Sequence, residues 1–165
     1  MLDLQAVDTR LDQLAHQEAT LPQTAQLAEL TDRLAELNTD VVNASTELSD
    51  LSQDVRKAED EVEQVRKRTT RDQELLDSGS ITSGKQLEEI QHEITSLLRR
   101  ASELEDAQLE VMERAEGAQA RVDELSLQIG EVQQEHAKVS AALEVAVTVI
   151  RADRADLDSQ RAGLA

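Results

Sequence analysis

The sequence predicts an all-α molecule: a long antiparallel coiled-coil hairpin, with a short kinked N-terminal helix packing at its base. Three observations predict it. Phe, Trp and Tyr are absent, Gly numbers five and Pro one, and 32% of the residues are charged. Aromatic side chains supply much of the buried area of globular cores, so a core without them is a thin aliphatic seam, and Ala, Leu, Glu, Gln, Arg and Asp are the composition of long helices. Second, aliphatic residues recur at alternating spacings of three and four for most of the chain, a regularity that disordered acidic segments lack. Third, turn-forming residues cluster at one place only.

The elements follow in order. Residues 1–20 carry Leu4, Val7, Leu11 and Leu14 on one helical face. Pro22 ends that segment: its fixed φ and missing amide disfavour an uninterrupted helix but suit a first helical position. Residues 22–76 form the first long helix. Its a positions read Leu27, Leu34, Val41, Leu48, Val55, Val62, Thr69 and Leu76, and its d positions Leu30, Leu37, Ala44, Leu51, Ala58, Val65 and Asp72. Residues 77–84, Asp-Ser-Gly-Ser-Ile-Thr-Ser-Gly, are the tip loop. Residues 85–162 form the second long helix, with a at Leu87, Ile94, Ala101, Gln108, Ala115, Val122, Ile129, His136, Leu143, Ile150 and Leu157. Its d positions run Ile90, Leu97, Leu104, Val111, Ala118, Leu125, Val132, Val139, Ala146 and Asp153. A repeat of seven sustained this long specifies a left-handed coiled coil.

Charges beside the seam make the two helices partners within one chain. Folding at the tip sets Arg68 opposite Glu93, Glu61 opposite Arg100, Glu47 opposite Arg114 and Asp40 opposite Arg121, all at g positions. In an antiparallel pair g faces g, and no like charges meet in this register. The same register sets Leu34 against Leu125 and His136 against Gln23. At about 1.5 Å per residue the arm is expected to be roughly 80 Å long. The first segment is expected to pack beside Leu143–Leu157, where the run Val145-Ala146-Val147-Thr148-Val149-Ile150 is broader than a two-helix seam needs.

Composition also excludes functions. Without Cys there is no disulfide and no thiolate metal site. No apolar run approaches the ~20 residues that span a bilayer, and Met1-Leu2-Asp3-Leu4 lacks the features of a signal peptide, so the expected compartment is the cytoplasm. A net charge of -18 repels phosphate backbones. No phosphate loop, nucleophile motif or acid/base constellation appears, and a two-helix coil encloses no pocket; the chain is expected not to be an enzyme.

Candidate binding residues fall in two places. Arg66, Lys67, Arg68, Arg71 and Lys85, with Ile81 in the loop, make a basic tip suited to an acidic partner, set against plain salt bridging to Glu88, Glu89 and Glu93. Leu98 and Met112 at e positions and Leu109 at the neighbouring b position make an apolar edge, set against scattered surface leucines. His16 and His92 lie at solvent-facing f positions. His136, at a, is a polar seam residue or a pH-sensitive hinge, with no partners for a metal. Gln108, Thr69 and Asp72 are polar seam positions of the kind that set register.

Around the tip, Val65-Arg66-Lys67-Arg68, Leu75-Leu76, Gly79 and Lys85-Gln86-Leu87-Glu88-Glu89-Ile90-Gln91-His92-Glu93-Ile94 resemble a bacterial family, as do Leu104 through Glu113 and the early Leu21-Pro22. The family is the bacterial zinc-ribbon proteins with an N-terminal coiled-coil hairpin, in its actinobacterial branch. The resemblance implies a cytoplasmic hairpin followed by a small four-cysteine zinc ribbon, in accessory factors that bind nucleic acid or protein. This sequence has no Cys, so it lacks the ribbon; no cofactor is expected in this chain, and zinc only in the ribbon. The reading is a non-catalytic interaction or adaptor protein, a rigid arm that binds a protein partner, stays off membranes and is a monomer or weak homodimer. The alternatives are a nucleic-acid-binding regulator acting through the ribbon, and a chaperone-like or structural spacer.

Overall fold

The computed structural model describes residues 2–164. Three helices account for nearly all of them: α1 (Leu2–Ala19), α2 (Pro22–Asp77) and α3 (Gly84–Leu164). Among the described residues there is no strand. The chain is a coiled-coil hairpin with a bent N-terminal segment, and it divides into two compact units. One comprises residues 1–40 and 125–165, the other residues 41–124.

The first unit contains α1, the start of α2 and the end of α3. Pro22 opens α2, and Thr20 closes α1 by donating both its amide (3.0 Å) and its hydroxyl (2.8 Å) to the His16 carbonyl. These bonds occupy an acceptor that a helix end otherwise leaves unpaired. α1 packs on the end of α3 as the sequence predicts. Leu14 and Ile150 are buried to 2% and 4% exposure. Around them Glu18 accepts from Arg151 (3.0 Å) and Arg154 (3.1 Å), and Asp8 pairs with Arg161 at 2.8 Å. The broad apolar run divides accordingly: Ile150 is covered, while Val145 and Val149 stay exposed.

Two expectations need correction in this unit. His136 does not pair with Gln23; its Nε2 lies 3.5 Å from Thr31 Oγ1, and Gln23 Oε1 is buried without a protein hydrogen bond. Thr31 already donates to the Leu27 carbonyl (2.7 Å), so its oxygen accepts from the imidazole N–H. Near the end of the seam Asp153, a d position, is exposed, while the neighbouring Arg154 is half-buried and turned to Glu18. The Glu18 carboxylate, supplied by α1, draws the arginine inward. The two-stranded heptad pattern carries no information about that third helix.

The second unit is the tip end of α2 and α3. Ala44, Leu51 and Val62 of α2 and Ile94, Ala101 and Leu104 of α3 are its buried apolar residues. All six are a or d positions. No buried polar or charged residue occurs among the described ones, so this core is purely aliphatic and one layer thick. Thr69, half-buried at a, returns its hydroxyl to the Val65 carbonyl (2.9 Å) and so carries no unmet polar group into the seam.

The turn is built from local chemistry. α2 stops where Gly79 takes φ 67°, the left-handed conformation that commonly terminates a helix. Ser78 ties the turn: its hydroxyl donates to the Leu75 carbonyl (2.8 Å) and lies 2.7 Å from Ser80 Oγ. Ser83 then occupies the cap position of α3, its carbonyl accepting the first helical amide, that of Leu87, at 3.1 Å.

Candidate interaction surfaces

The basic tip is neutralised by its own surroundings. Arg68 reaches Glu93 across the seam at 2.6 Å, as the g-edge register predicts. Arg66 forks onto Glu105 through Nε (3.1 Å) and Nη2 (2.8 Å), Lys67 meets Glu63 at 2.6 Å, and Lys85 lies 4.0 Å from Glu89. Arg71 alone among the five has no ion pair with a described residue. Lys67 lowers the Glu63 pKa below the ordinary carboxylate value, first by its hydrogen bond and then by its charge. These pairs are exposed and individually weak, but together they cancel the local positive field that would recruit an acidic partner. Ile81 is half-buried, whereas Ser80 and Thr82 are exposed.

The other expected g-edge pairs within this unit, Glu61–Arg100 and Glu47–Arg114, do not form. Arg100 turns instead to Glu103 of its own helix at 3.5 Å. Neighbours three residues apart on one helix meet at little entropic cost, and an exposed cross-helix pair gains too little to prevail.

The apolar edge is where the sequence places it. Leu98 and Leu109 are each 57% exposed, and Met112 is half-buried beside them. Leu98 forms one wall of an open groove of about 620 Å³ between α2 and α3. Its floor includes the buried Ile94 and Ala101, and its α2 side is Thr69, Thr70 and Gln73. The groove exists because Ala101, Ser102 and the threonines are too small to fill the space beside the seam. The Arg66–Glu105 bridge is among its lining residues.

No group of three or more His, Cys, Asp or Glu among the described residues can hold a metal ion, and there is no Cys, so these residues do not fit a zinc centre. Among the described residues no helix is long and apolar enough to cross a membrane.

Taken together, an aliphatic two-helix seam, a capped tip and open lateral grooves define a coiled-coil hairpin domain. Residues 4–165 match the model of one such family, described as the CT398-like coiled coil hairpin domain, and the chain belongs to that family. It is 37% identical over 161 residues to the uncharacterized protein Rv2229c of Mycobacterium tuberculosis, a match that covers 98% of this chain and 65% of that protein. The uncharacterized protein ML1638 of Mycobacterium leprae is 32% identical over 127 residues, 77% of this chain and 53% of its own length. A solved structure from Mycobacterium smegmatis superposes with a TM-score of 0.80 at 33% identity, covering 98% of this chain and 66% of that one. The chain therefore spans about two thirds or less of the length of these relatives.

Proposed function

We propose that this hairpin is a non-catalytic protein-interaction element, working in the cytoplasm, whose partner docks along the Leu98–Leu109–Met112 edge. The observation that carries the reading is the exposure of Leu98 and Leu109, with half-buried Met112, on one side of α3 within the tip-end unit; Val42, Leu127, Val145 and Val149 are exposed apolar residues elsewhere on the helices. Exposed apolar groups gathered on one face mark interaction sites more often than leucines scattered singly. The basic tip, with most of its cations already paired, is the weaker candidate. The groove beside Leu98 is open to solvent, and so is the one where His92 lies among Glu88, Glu89 and Glu93, so neither offers the enclosed, desolvated setting that favours catalysis. The positioning of a zinc ribbon that lies outside this chain belongs to the same proposal, and rests on the tip and Leu104–Glu113 resemblance alone.

Affinity capture with the intact protein tests the reading. The variant L98Q/L109Q/M112Q is expected to lose captured partners, and K67Q/R71Q to retain them. The reverse pattern would move the docking site to the tip. Salt-sensitive nucleic-acid binding that survives in this chain alone would favour the regulator reading instead.

A further inference from the structure

The edge on α3 has an internal order of its own. Leu98, Ser102, Glu105, Leu109, Met112 and Glu116 follow one another at alternating spacings of four and three, forming a second helical stripe alongside the seam that pairs α3 with α2. Glu105 within the stripe is neutralised by Arg66 at 2.8 Å. On the side away from α2 the stripe is flanked by Asp106, Glu110 and Glu113, one helical turn from Leu109 or from each other. All three are exposed, and none has an ion-pair partner among the described residues. The groove beside Leu98 continues the same stripe toward the tip.

Building on the interaction reading above, we propose that this stripe docks one cationic amphipathic helix of a partner protein. The apolar 3–4 seam of that helix packs on Leu98, Leu109 and Met112, and its Lys or Arg residues face Asp106, Glu110 and Glu113. A 3–4 stripe is the surface that a partner helix matches by knobs-into-holes packing. From Leu98 to Leu109 is about 16 Å along the axis, so three to four turns of partner helix suffice. The flank selects the occupant. A second copy of this chain, docked antiparallel about a two-fold axis, would bring Asp106, Glu110 and Glu113 against their own equivalents, and like charges across a helix interface are disfavoured. An acidic partner meets the same repulsion. A helix with basic flanks relieves it.

The test uses a fluorescein-labelled 21-residue helical peptide of Leu and Lys in heptad order, and a twin with Glu in place of Lys. Binding to the whole chain is followed by anisotropy at low and moderate NaCl, with circular dichroism confirming that each variant stays helical. The Lys peptide is expected to bind, more weakly as salt rises, and the Glu twin not to bind. D106N/E110Q/E113Q and L109Q/M112Q are each expected to weaken binding about tenfold. D153N/D156N/D158N, which removes the same number of charges elsewhere on α3, is expected to leave it within about twofold by the same reasoning. Equal loss in that control would show diffuse attraction to an acidic chain and overturn the proposal. So would binding of the Glu twin, or a chain dimer in sedimentation that L109Q/M112Q dissociates. If captured partners depend on Leu98, Leu109 and Met112 but the Lys peptide does not bind, the edge remains an interaction surface and only the cationic helix falls.

Discussion

Gly79 ends α2 because its φ of 67° is open to glycine at no steric cost, while a Cβ there crowds the following carbonyl by roughly 1–2 kcal/mol. Gly84, at the first position of α3, has a helical conformation, and a Cβ added there meets nothing within 4 Å. The two glycines therefore separate in experiment. G79A is expected to destabilise by about 1–2 kcal/mol, and G84A to be neutral or stabilising by up to about 1 kcal/mol, both read from urea unfolding. Equal effects would mean that the left-handed turn is not required. Glu18 is a second informative residue. The hydrogen bond from Arg151, ahead of the charges of Arg151 and Arg154, holds its carboxyl below the ordinary value despite some opposing desolvation. A depressed folded-state pKa gives stability that is present above the unfolded pKa and is lost as pH falls through the folded one. E18Q is expected to be less stable than the wild type at neutral pH, with the gap closing as pH drops below the usual carboxylate range. A gap that stays constant with pH would assign the loss to packing rather than to charge.

At the scale of elements, α3 runs 81 residues with Gly117 and Gly130 in its interior. A Cβ added at either meets nothing within 4 Å, so neither is needed for close packing. Since Gly costs a helix interior ~0.8–1 kcal/mol relative to Ala, G117A is expected to raise stability by about that amount and to slow hydrogen exchange in the flanking turns. No change would show that the segment is limited by something other than helix propensity. The helices and their seam were legible in the sequence because coiled-coil burial depends on spacing alone: every buried residue of α2 and α3, from Leu37 to Ile150, is an a or d position. Side-chain partners were less legible. Arg68–Glu93 follows from the heptad, whereas Arg100–Glu103 and Arg66–Glu105 depend on rotamers. His136 meets Thr31 and not Gln23, eight residues and about 12 Å further along α2, a displacement of about one heptad that a repeat of seven cannot resolve by spacing alone. The half-burial of Arg154 beside an exposed Asp153 depends on Glu18 of α1, which the two-helix repeat does not encode. Leu98, Leu109 and Met112 were legible because their spacing alone puts them on one side of α3; salt bridging of the basic tip to Glu89 and Glu93 was legible too, whereas the Glu105 and Glu63 partners of Arg66 and Lys67 were not.

For the molecule as a whole, charge sets a condition that no single contact reveals. The chain carries 35 acidic and 17 basic side chains, for a net charge of -18. Most of its ion pairs join residues three or four apart on one helix, as Arg33–Glu36, Lys57–Asp54, Lys67–Glu63 and Lys138–Glu135 do. Such pairs contribute only ~0.3–0.5 kcal/mol each, and they also form in part in an isolated helix. Pairs between helices are few, chiefly those of Glu18, Asp8, Arg66 and Arg68. Folding brings the excess carboxylates closer together than an expanded chain does, so self-repulsion opposes the native state. Salt screens attraction and repulsion alike, over about 10 Å at 0.1 M. With so large an excess of one sign, the repulsion removed outweighs the attraction lost. The melting temperature is therefore expected to rise between 20 and 500 mM NaCl, by about 2–4 °C for each kcal/mol of repulsion relieved in a chain of this size. R151Q/R154Q, which breaks the Glu18 pairs, should start lower and still rise. A melting temperature that falls with salt would instead mean that the few inter-helix pairs dominate, and R151Q/R154Q would then flatten the dependence.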